Sequence, residues 1–173
     1  AERRLSTKGH GWNPEPPTMV AKIHKEGGQL YLAGLPTWGK EKELHALGCS
    51  IQLCCFKDAP SERSACRRGT VPKEEDRGMQ VPGTKLLNLD MDNRDNASWQ
   101  FPAIAEEVSL SLLRGDSVLI HCMAGVHRAA TVAAMVRAIV HDETWERACR
   151  EVSAVRNVEI PKAVERIGQK YID

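Results

Sequence analysis

No stretch of about eighteen consecutive apolar residues, the length a helix needs to cross a membrane, occurs in this 173-residue chain. The chain also lacks a strong net charge, since 24 lysines and arginines against 23 aspartates and glutamates leave +1 at pH 7. So weak a charge provides no long-range attraction for nucleic acid or a membrane surface, and an anionic substrate must be captured locally. The missing apolar run predicts a protein without a membrane span.

The cysteines are too sparse for a disulfide-stabilised secreted domain, and they lack the paired spacing of a zinc site. The six are Cys49, Cys54, Cys55, Cys66, Cys122 and Cys149. Their pattern predicts a reducing compartment, no bound metal and mostly buried, inert thiols. We therefore expect an intracellular protein, with the cytoplasm as first choice and mitochondrial import left open.

The N-terminus has neither an initiator methionine nor an apolar segment of the kind that follows the basic start of a secretory signal. We interpret the chain as processed or as excised from something longer. Residues 1–20 carry glycine, proline and charge without periodicity, and they predict an extended arm. Residues 21–173 are long enough to form one domain with a sizeable core.

Apolar segments of strand length alternate with segments of helical periodicity along the domain. The expected strands are 21–24, 29–33, 51–56, 85–91 and 117–121, the first two joined as a hairpin across Gly27 and Gly28. The expected helices are 40–47, about 102–114, 128–140, one capped by Asp142 and running through Val155, and one opened by Pro161. The fold class is therefore α/β: a three-layer sandwich with a mostly parallel central sheet of about five strands, flanked by helices.

Two segments are expected to be loops. Residues 57–84 are long, polar and interrupted by glycines and prolines, and we interpret them as an insertion at the rim of an active site. Residues 92–98 are expected to lead out of the fourth strand. Both segments are candidates for contact with a substrate because loops held by a rigid scaffold commonly carry function.

The stretch 117–140 carries the strongest functional signal. Its apolar run ends at His121 and Cys122, a compact loop follows, and an alanine-rich helix begins at Arg128. A cysteine at the end of a strand and facing a helix N-terminus meets unpaired N–H groups that favour an anion, including a thiolate. Arg128 adds a planar fork of donors suited to a phosphoryl group, and Gly125 permits a tight backbone turn.

The spacing His121-Cys122-x5-Arg128 resembles the signature of the protein tyrosine phosphatase superfamily, most closely its dual-specificity branch, here called the dual-specificity phosphatases. Residues 29–36 are similar to the first core strand of that branch, and residues 44–48 to its next helix. The resemblance implies a cysteine-dependent phosphatase that hydrolyses phosphate monoesters through a phosphocysteine, with no cofactor and no metal. Its substrate would be a protein carrying phosphotyrosine, phosphoserine or phosphothreonine, while phosphate groups of lipids or nucleic acid remain open.

In this resemblance Cys122 is the nucleophile, Arg128 holds the phosphoryl oxygens and His121 orients the loop. The phosphate-binding loop comprises Met123, Ala124, Gly125, Val126, His127 and Arg128. For His127 a neutral ring and a partly protonated ring that attracts an anionic substrate are both open.

The family places its general acid about thirty residues before the cysteine. Asp90 and Asp92 lie close to that spacing, and Asp95 lies farther along the same loop. Strand alternation puts Asp90 and Asp92 on one face and so does not separate them. We prefer Asp92 because it is nearer the expected end of the strand.

Ala129 departs from the family, which usually has serine or threonine directly after the arginine. A hydroxyl there can donate to the cysteine sulfur, and losing such a bond costs about 1.5 to 3 kcal/mol. The departure predicts slow turnover. The alternative is a pseudophosphatase that keeps the pocket to bind phosphate or to scaffold an assembly.

Overall fold

Five strands form one sheet in the computed structural model, which describes residues 15–23, 25–65, 71–91 and 94–173. They are β1 (Thr18–Lys22), β2 (Gln29–Ala33), β3 (Ile51–Cys54), β4 (Lys85–Asn88) and β5 (Val118–His121). The spatial order is β1-β2-β5-β3-β4, with β1 antiparallel to β2 and the other pairings parallel. This confirms the expected α/β class. The first strand begins at Thr18, three residues inside the segment interpreted as an arm.

Helices cover both faces of this sheet. They are α1 (Glu41–His45), α2 (Arg94–Leu113), α3 (Arg128–His141), α4 (Trp145–Val155) and α5 (Lys162–Ile172). Helix α3 lies centrally on one face, where it contacts α2, α4 and α5 as well as β1, β2 and β5. Helix α1 lies on the opposite face, where Leu44 packs with Leu119 of β5. In β5, Val118 and Ile120 belong instead to the core beneath α3.

The central strand β5 is buried along its whole length and pairs on both sides, with β2 and with β3. His121 stands in register with Ala33 of β2 and with Cys54 of β3, and its carbonyl accepts a hydrogen bond from the Cys55 amide at 2.9 Å. Because the parallel strands end at one edge, the residue after His121 is delivered to that edge between two neighbouring strand ends.

Helix α2 begins at Arg94, so the loop expected over 92–98 is wrong from residue 94 onwards, and the helix start expected near Pro102 is wrong too; residues 92 and 93 lie outside the described residues. Pro102 therefore lies inside the helix, where a proline removes one intrahelical hydrogen bond. The helix face formed by Phe101, Ala105, Val108 and Leu112 is nevertheless fully buried. That burial outweighs the local penalty. Leu110 and Leu113 of the same helix are about half exposed.

Two other element boundaries also differ from expectation. Strand β4 ends at Asn88, so the alternation expected as far as Asp92 stops earlier. Asp142 adopts a left-handed conformation with φ of 53° and ends α3, while the Thr144 side chain caps α4 by accepting from the Arg147 amide at 3.2 Å. Threonine provides the oxygen that the first turn of α4 needs, so the cap lies two residues later than expected.

The segment 57–84 is more ordered than a simple insertion where the structure describes it. It contains short 3-10 turns at Pro60–Glu62 and Glu74–Asp76. Its later part lies beside the residues that precede α1, where Gly78 pairs with Thr37. The Met79 amide donates to the Pro36 carbonyl at 2.9 Å, and Met79 packs in the smaller core with Leu44. The segment therefore closes the second face of the sheet. Among the described residues, none of the helices has the length and apolar character to span a bilayer.

Candidate active site

Cys122 follows β5 directly, and only 2% of its surface is exposed. Its sulfur accepts a hydrogen bond from the Gly125 amide at 3.2 Å, so the chain curls around the thiol. Gly125 has φ of +68°, and a Cβ there would lie 2.6 Å from the Ala33 carbonyl oxygen. Only glycine fits this close approach without strain, as the sequence indicated.

The carbonyl groups of residues 123–126 are all bonded to groups outside the loop. The pairs are Met123 O with the Leu35 amide at 3.0 Å, Ala124 O with Arg156 Nη2 at 3.4 Å, Gly125 O with Arg156 Nε at 3.2 Å, and Val126 O with the Glu159 amide at 2.8 Å. A trans peptide directs its N–H opposite to its C=O, so the amides of 124–127 are directed inwards. Inward amides above a helix N-terminus form an anion-binding cradle.

Arg128 stands at the first position of α3, six residues after the cysteine. Its guanidinium carbon lies 5.6 Å from the centre of the Phe56 ring, and that of Arg63 lies 5.2 Å from the same ring. Phe56 is fully buried and meets the His121 ring edge to face at 5.8 Å. This ring thus supports Arg128 by a cation–π contact while packing against the residue before Cys122.

His121 is fully buried, and its ring is held by Gln52 of β3 at 3.0 Å between their Nε2 atoms. The Gln52 amide also donates to the Met79 carbonyl and accepts from the Val81 amide, which fixes its nitrogen as a donor towards His121. Nε2 of His121 is therefore the acceptor, and the ring proton lies on Nδ1. Burial lowers the pKa of His121 to about 3, with the Cys122 main chain opposing part of the shift, so the ring is neutral at physiological pH.

Comparison with known proteins gives a match only at the level of structure: no protein-family model matches the chain, and no curated protein does. Human DUSP28 superposes with a TM-score of 0.69 at 18% identity, covering 93% of this chain and 95% of that one. PTPMT1 in complex with PI(5)P gives 0.62 at 18% identity, covering 86% and 92%. A mouse putative dual specificity phosphatase complexed with zinc tungstate gives 0.62 at 19% identity, covering 92% and 87%.

The chain has a phosphatase fold. At these identities the likeness extends to the architecture alone, so the roles of individual residues rest on the geometry of this chain. That geometry brings Cys122, Arg128, His121 and the loop 123–127 together at the carboxyl edge of the sheet.

The general acid stays a prediction. Asp92, the preferred residue, lies outside the described residues, and Asp95 lies in the first turns of α2, where only the backbone is described. Asp90 is half-buried and lies two residues beyond the end of β4. Because β4 ends at Asn88, strand alternation does not group Asp90 with Asp92, and Asp90 is the nearer of the two to the strand end; Asp92 is kept as the first candidate on the family's spacing of about thirty residues alone.

His127 and Ala129 flank Arg128 in very different environments. The His127 side chain is exposed and lies 3.3 Å from a Glu159 carboxylate oxygen, which makes it a partner of that acid at the loop surface. Ala129 is fully buried in the first turn of α3. No hydroxyl is therefore available from this position towards the sulfur.

The other described cysteines are free thiols whose surroundings favour the protonated form. Burial raises the pKa of Cys49 and of Cys54 to about 11, and that of Cys149 to about 12. Burial also raises the pKa of Cys55 well above its ordinary value. These four thiols are thus poor nucleophiles at neutral pH, as expected from sequence. Cys66 lies outside the described residues.

Several residues of the site have no obvious signal in the sequence. Phe56 and Gln52 lie on or beside β3, and Arg156 follows α4, so all three are distant from the loop along the chain. A glutamine within an apolar strand is the only hint, since a buried polar side chain must find a partner. Among the described residues, no group of three or more histidine, cysteine, aspartate or glutamate side chains is arranged to hold a metal ion.

Proposed function

We propose that this chain is a cysteine-dependent phosphatase of the dual-specificity type, acting on phosphate monoesters of phosphorylated proteins inside the cell. The observation that carries the proposal is the loop itself, with a sulfur at its centre, an amide donating to that sulfur and outward carbonyls that leave the other amides to an anion. A phosphatase fold around this loop supports the same reaction class.

In the first step the Cys122 thiolate attacks phosphorus, forming an S–P bond while the P–O bond to the leaving group breaks. The leaving oxygen takes a proton from a carboxylic acid, Asp92 by preference and Asp90 as the alternative. Inward amides and Arg128 hold the three equatorial oxygens as charge redistributes. His121, neutral and fixed by Gln52, keeps the start of the loop in place.

In the second step water attacks the phosphocysteine, and the carboxylate formed in the first step takes the water proton. The S–P bond breaks, inorganic phosphate leaves and the thiolate returns. The departing sulfur regains negative charge beside the Gly125 amide, without a hydroxyl from position 129. We expect this second step to be the slow one.

The decisive experiment compares wild type with Cys122→Ser on an activated aryl phosphate such as p-nitrophenyl phosphate. Removing the nucleophile should lower turnover at least about a thousandfold. Cys149→Ser is the matched control, because it removes a thiol remote from the loop, and it should leave turnover unchanged. Equal turnover by wild type and Cys122→Ser would refute the enzymatic proposal.

A pseudophosphatase is the second candidate, and the buried Ala129 is the observation that favours it. Such a protein would bind phosphate or vanadate in the loop without turning substrate over. Tight vanadate binding together with equal, negligible turnover by wild type and Cys122→Ser would select this candidate.

PTPMT1, one of the similar structures, has been solved with PI(5)P bound, so a lipid phosphate is an alternative substrate class to test. Wild type should therefore be compared on phosphotyrosine and phosphothreonine peptides, PI(5)P and a 5′-phosphorylated RNA at equal concentrations. A Cys122→Ser trap that retains phosphoproteins from a cell extract would support protein substrates. Faster hydrolysis of the lipid or of the RNA would identify that molecule, instead of a phosphoprotein, as the substrate class.

A further inference from the structure

Arg156 is the one lysine or arginine in the described part of the chain that is fully buried, with 1% of its surface exposed. It follows α4 in an extended conformation, with φ of −146° and ψ of 142°, and its side chain runs beneath the loop. Burying a guanidinium is expensive unless its donors are bonded and its charge is balanced.

The guanidinium of Arg156 makes four hydrogen bonds in two directions. Towards the loop, Nε donates to the Gly125 carbonyl at 3.2 Å and Nη2 to the Ala124 carbonyl at 3.4 Å. Towards the start of β1, Nη1 donates to the Pro16 carbonyl at 2.9 Å and to Thr18 Oγ1 at 3.0 Å. One side chain thus joins two consecutive loop peptides to the beginning of the sheet.

The two loop carbonyls belong to the peptides whose amides are those of Gly125 and Val126. When the carbonyl of a peptide is held on the outer side of the loop, the N–H of the same peptide faces the inner side. The Gly125 amide accordingly donates to the Cys122 sulfur. The charge of Arg156 also lies close enough to the sulfur for the two groups to interact. Burial lowers the pKa of Arg156, while negative charge on Glu15 and on Cys122 acts in the opposite direction.

We propose that Arg156 is a positioning residue of the site: anchored at Pro16 and Thr18, it holds the 124–126 peptides so that their amides face the Cys122 sulfur and the bound phosphate. The proposal rests on the proposed function for its catalytic consequence, but its direct consequences are anion affinity and thiolate reactivity. Both are measurable without turnover.

Arg156→Lys is the informative variant, since lysine keeps the charge but cannot span both carbonyls and the β1 anchor with a planar fork. Vanadate should bind about tenfold more weakly by calorimetry, as expected for losing one bond to a charged group. The pH at which Cys122 alkylation by iodoacetamide is half-maximal should rise. On an aryl phosphate, kcat should fall, and KM should rise.

Arg137 offers the matched control. It is a half-buried arginine that donates to the Val20 carbonyl of β1 at 2.8 Å and pairs with Glu143 at 2.9 Å, far from the loop. Arg137→Lys should lower thermal stability while leaving vanadate affinity and the alkylation profile unchanged. A folded Arg156→Lys protein that also keeps both readouts would overturn the proposal, as would equal losses in the two variants.

A measurement on the unmodified protein covers the case in which Arg156→Lys does not fold. The Nε–H resonance of Arg156 should shift when vanadate fills the loop, and that of Arg137 should not. No shift at Arg156 despite vanadate binding would refute the inference. Vanadate binding with the shift but without any turnover would refute the proposed function and leave the inference standing.

Discussion

Two neighbouring strand ends at the carboxyl edge of the sheet place cysteines in opposite roles. At the end of β3, the Cys54 thiol donates to the Asp58 carbonyl at 3.5 Å, while at the end of β5 the Cys122 sulfur accepts from the Gly125 amide at 3.2 Å. Both side chains are buried. Burial is therefore common to both cysteines, and Cys122 differs from Cys54 in that a turn of backbone presents an N–H group to its sulfur instead of a carbonyl.

The largest expected difference between the two strand ends is in alkylation. At pH 7 a thiol with a pKa of about 11 is roughly one part in ten thousand thiolate, so Cys54 and Cys49 should stay essentially unlabelled while Cys122 is alkylated. Peptide mass spectrometry after brief iodoacetamide treatment measures this, in a Cys66→Ser background. Vanadate should protect Cys122. If Cys122 were labelled at the same rate as Cys149, or if vanadate did not protect Cys122, the prediction would be wrong.

The segment that follows β4 should supply the proton to the leaving group. Asp92→Asn should lose about a hundredfold or more on an alkyl phosphate, and far less on an aryl phosphate whose leaving group needs no proton. Steady-state rates on the two substrates measure the ratio. Asp90→Asn and Asp95→Asn are the controls, and a leaving-group dependence confined to Asp90→Asn would assign the acid to that residue.

Adding a hydroxyl donor at position 129 should speed the release of phosphate from Cys122. Ala129→Ser should raise steady-state turnover by up to roughly tenfold, because a hydroxyl beside the sulfur stabilises the departing thiolate. Wild type should show a burst of about one equivalent of phenol before slow turnover, measured by stopped flow. Absence of a burst together with unchanged turnover in the variant would show that dephosphorylation of the cysteine is not limiting.

The smallest effect at neutral pH concerns His121, which links the two strand ends through Gln52. The unfolded chain takes up a proton near pH 6.5 and the folded protein only near 3, so stability is full above 6.5 and falls as pH decreases between these values. The slope should approach about 1.4 kcal/mol per pH unit. Urea unfolding from pH 7 to 4 measures it. His121→Gln should have a shallower slope, and an unchanged slope would contradict the assignment.

The sequence was most informative where the fold is local. A buried strand, a loop with one glycine and an alanine-rich helix are consecutive, so the position of Cys122 relative to Arg128 could be predicted without knowing the rest of the chain. Alternation of strands and helices likewise indicated the parallel sheet, because parallel neighbours need crossover connections.

The remaining features depend on contacts between distant residues. In the sequence, nothing distinguishes Arg156 from any other charged residue that follows a helix. Its hydrogen bond to the Gly125 carbonyl becomes visible only in the folded chain. Pro102 appeared to open a helix, since its cost is local whereas the burial of Phe101 and Leu112 that offsets it is tertiary. Asp142 and Thr144 are both residue types that can cap the N-terminus of α4. Asp142 instead ends α3, so Thr144 provides the cap.

The outward bonds of the loop also set an order for its assembly during synthesis. Leu35 is made early, but Arg156 and Glu159, which hold the carbonyls of residues 124–126, leave the ribosome well after Cys122. Because all five strands are synthesised before Arg156, a nascent chain can complete its β5 pairing before the loop is fixed. A stalled chain ending before Arg156 should therefore contain a paired sheet in which iodoacetamide alkylates Cys122 more slowly than in the complete protein.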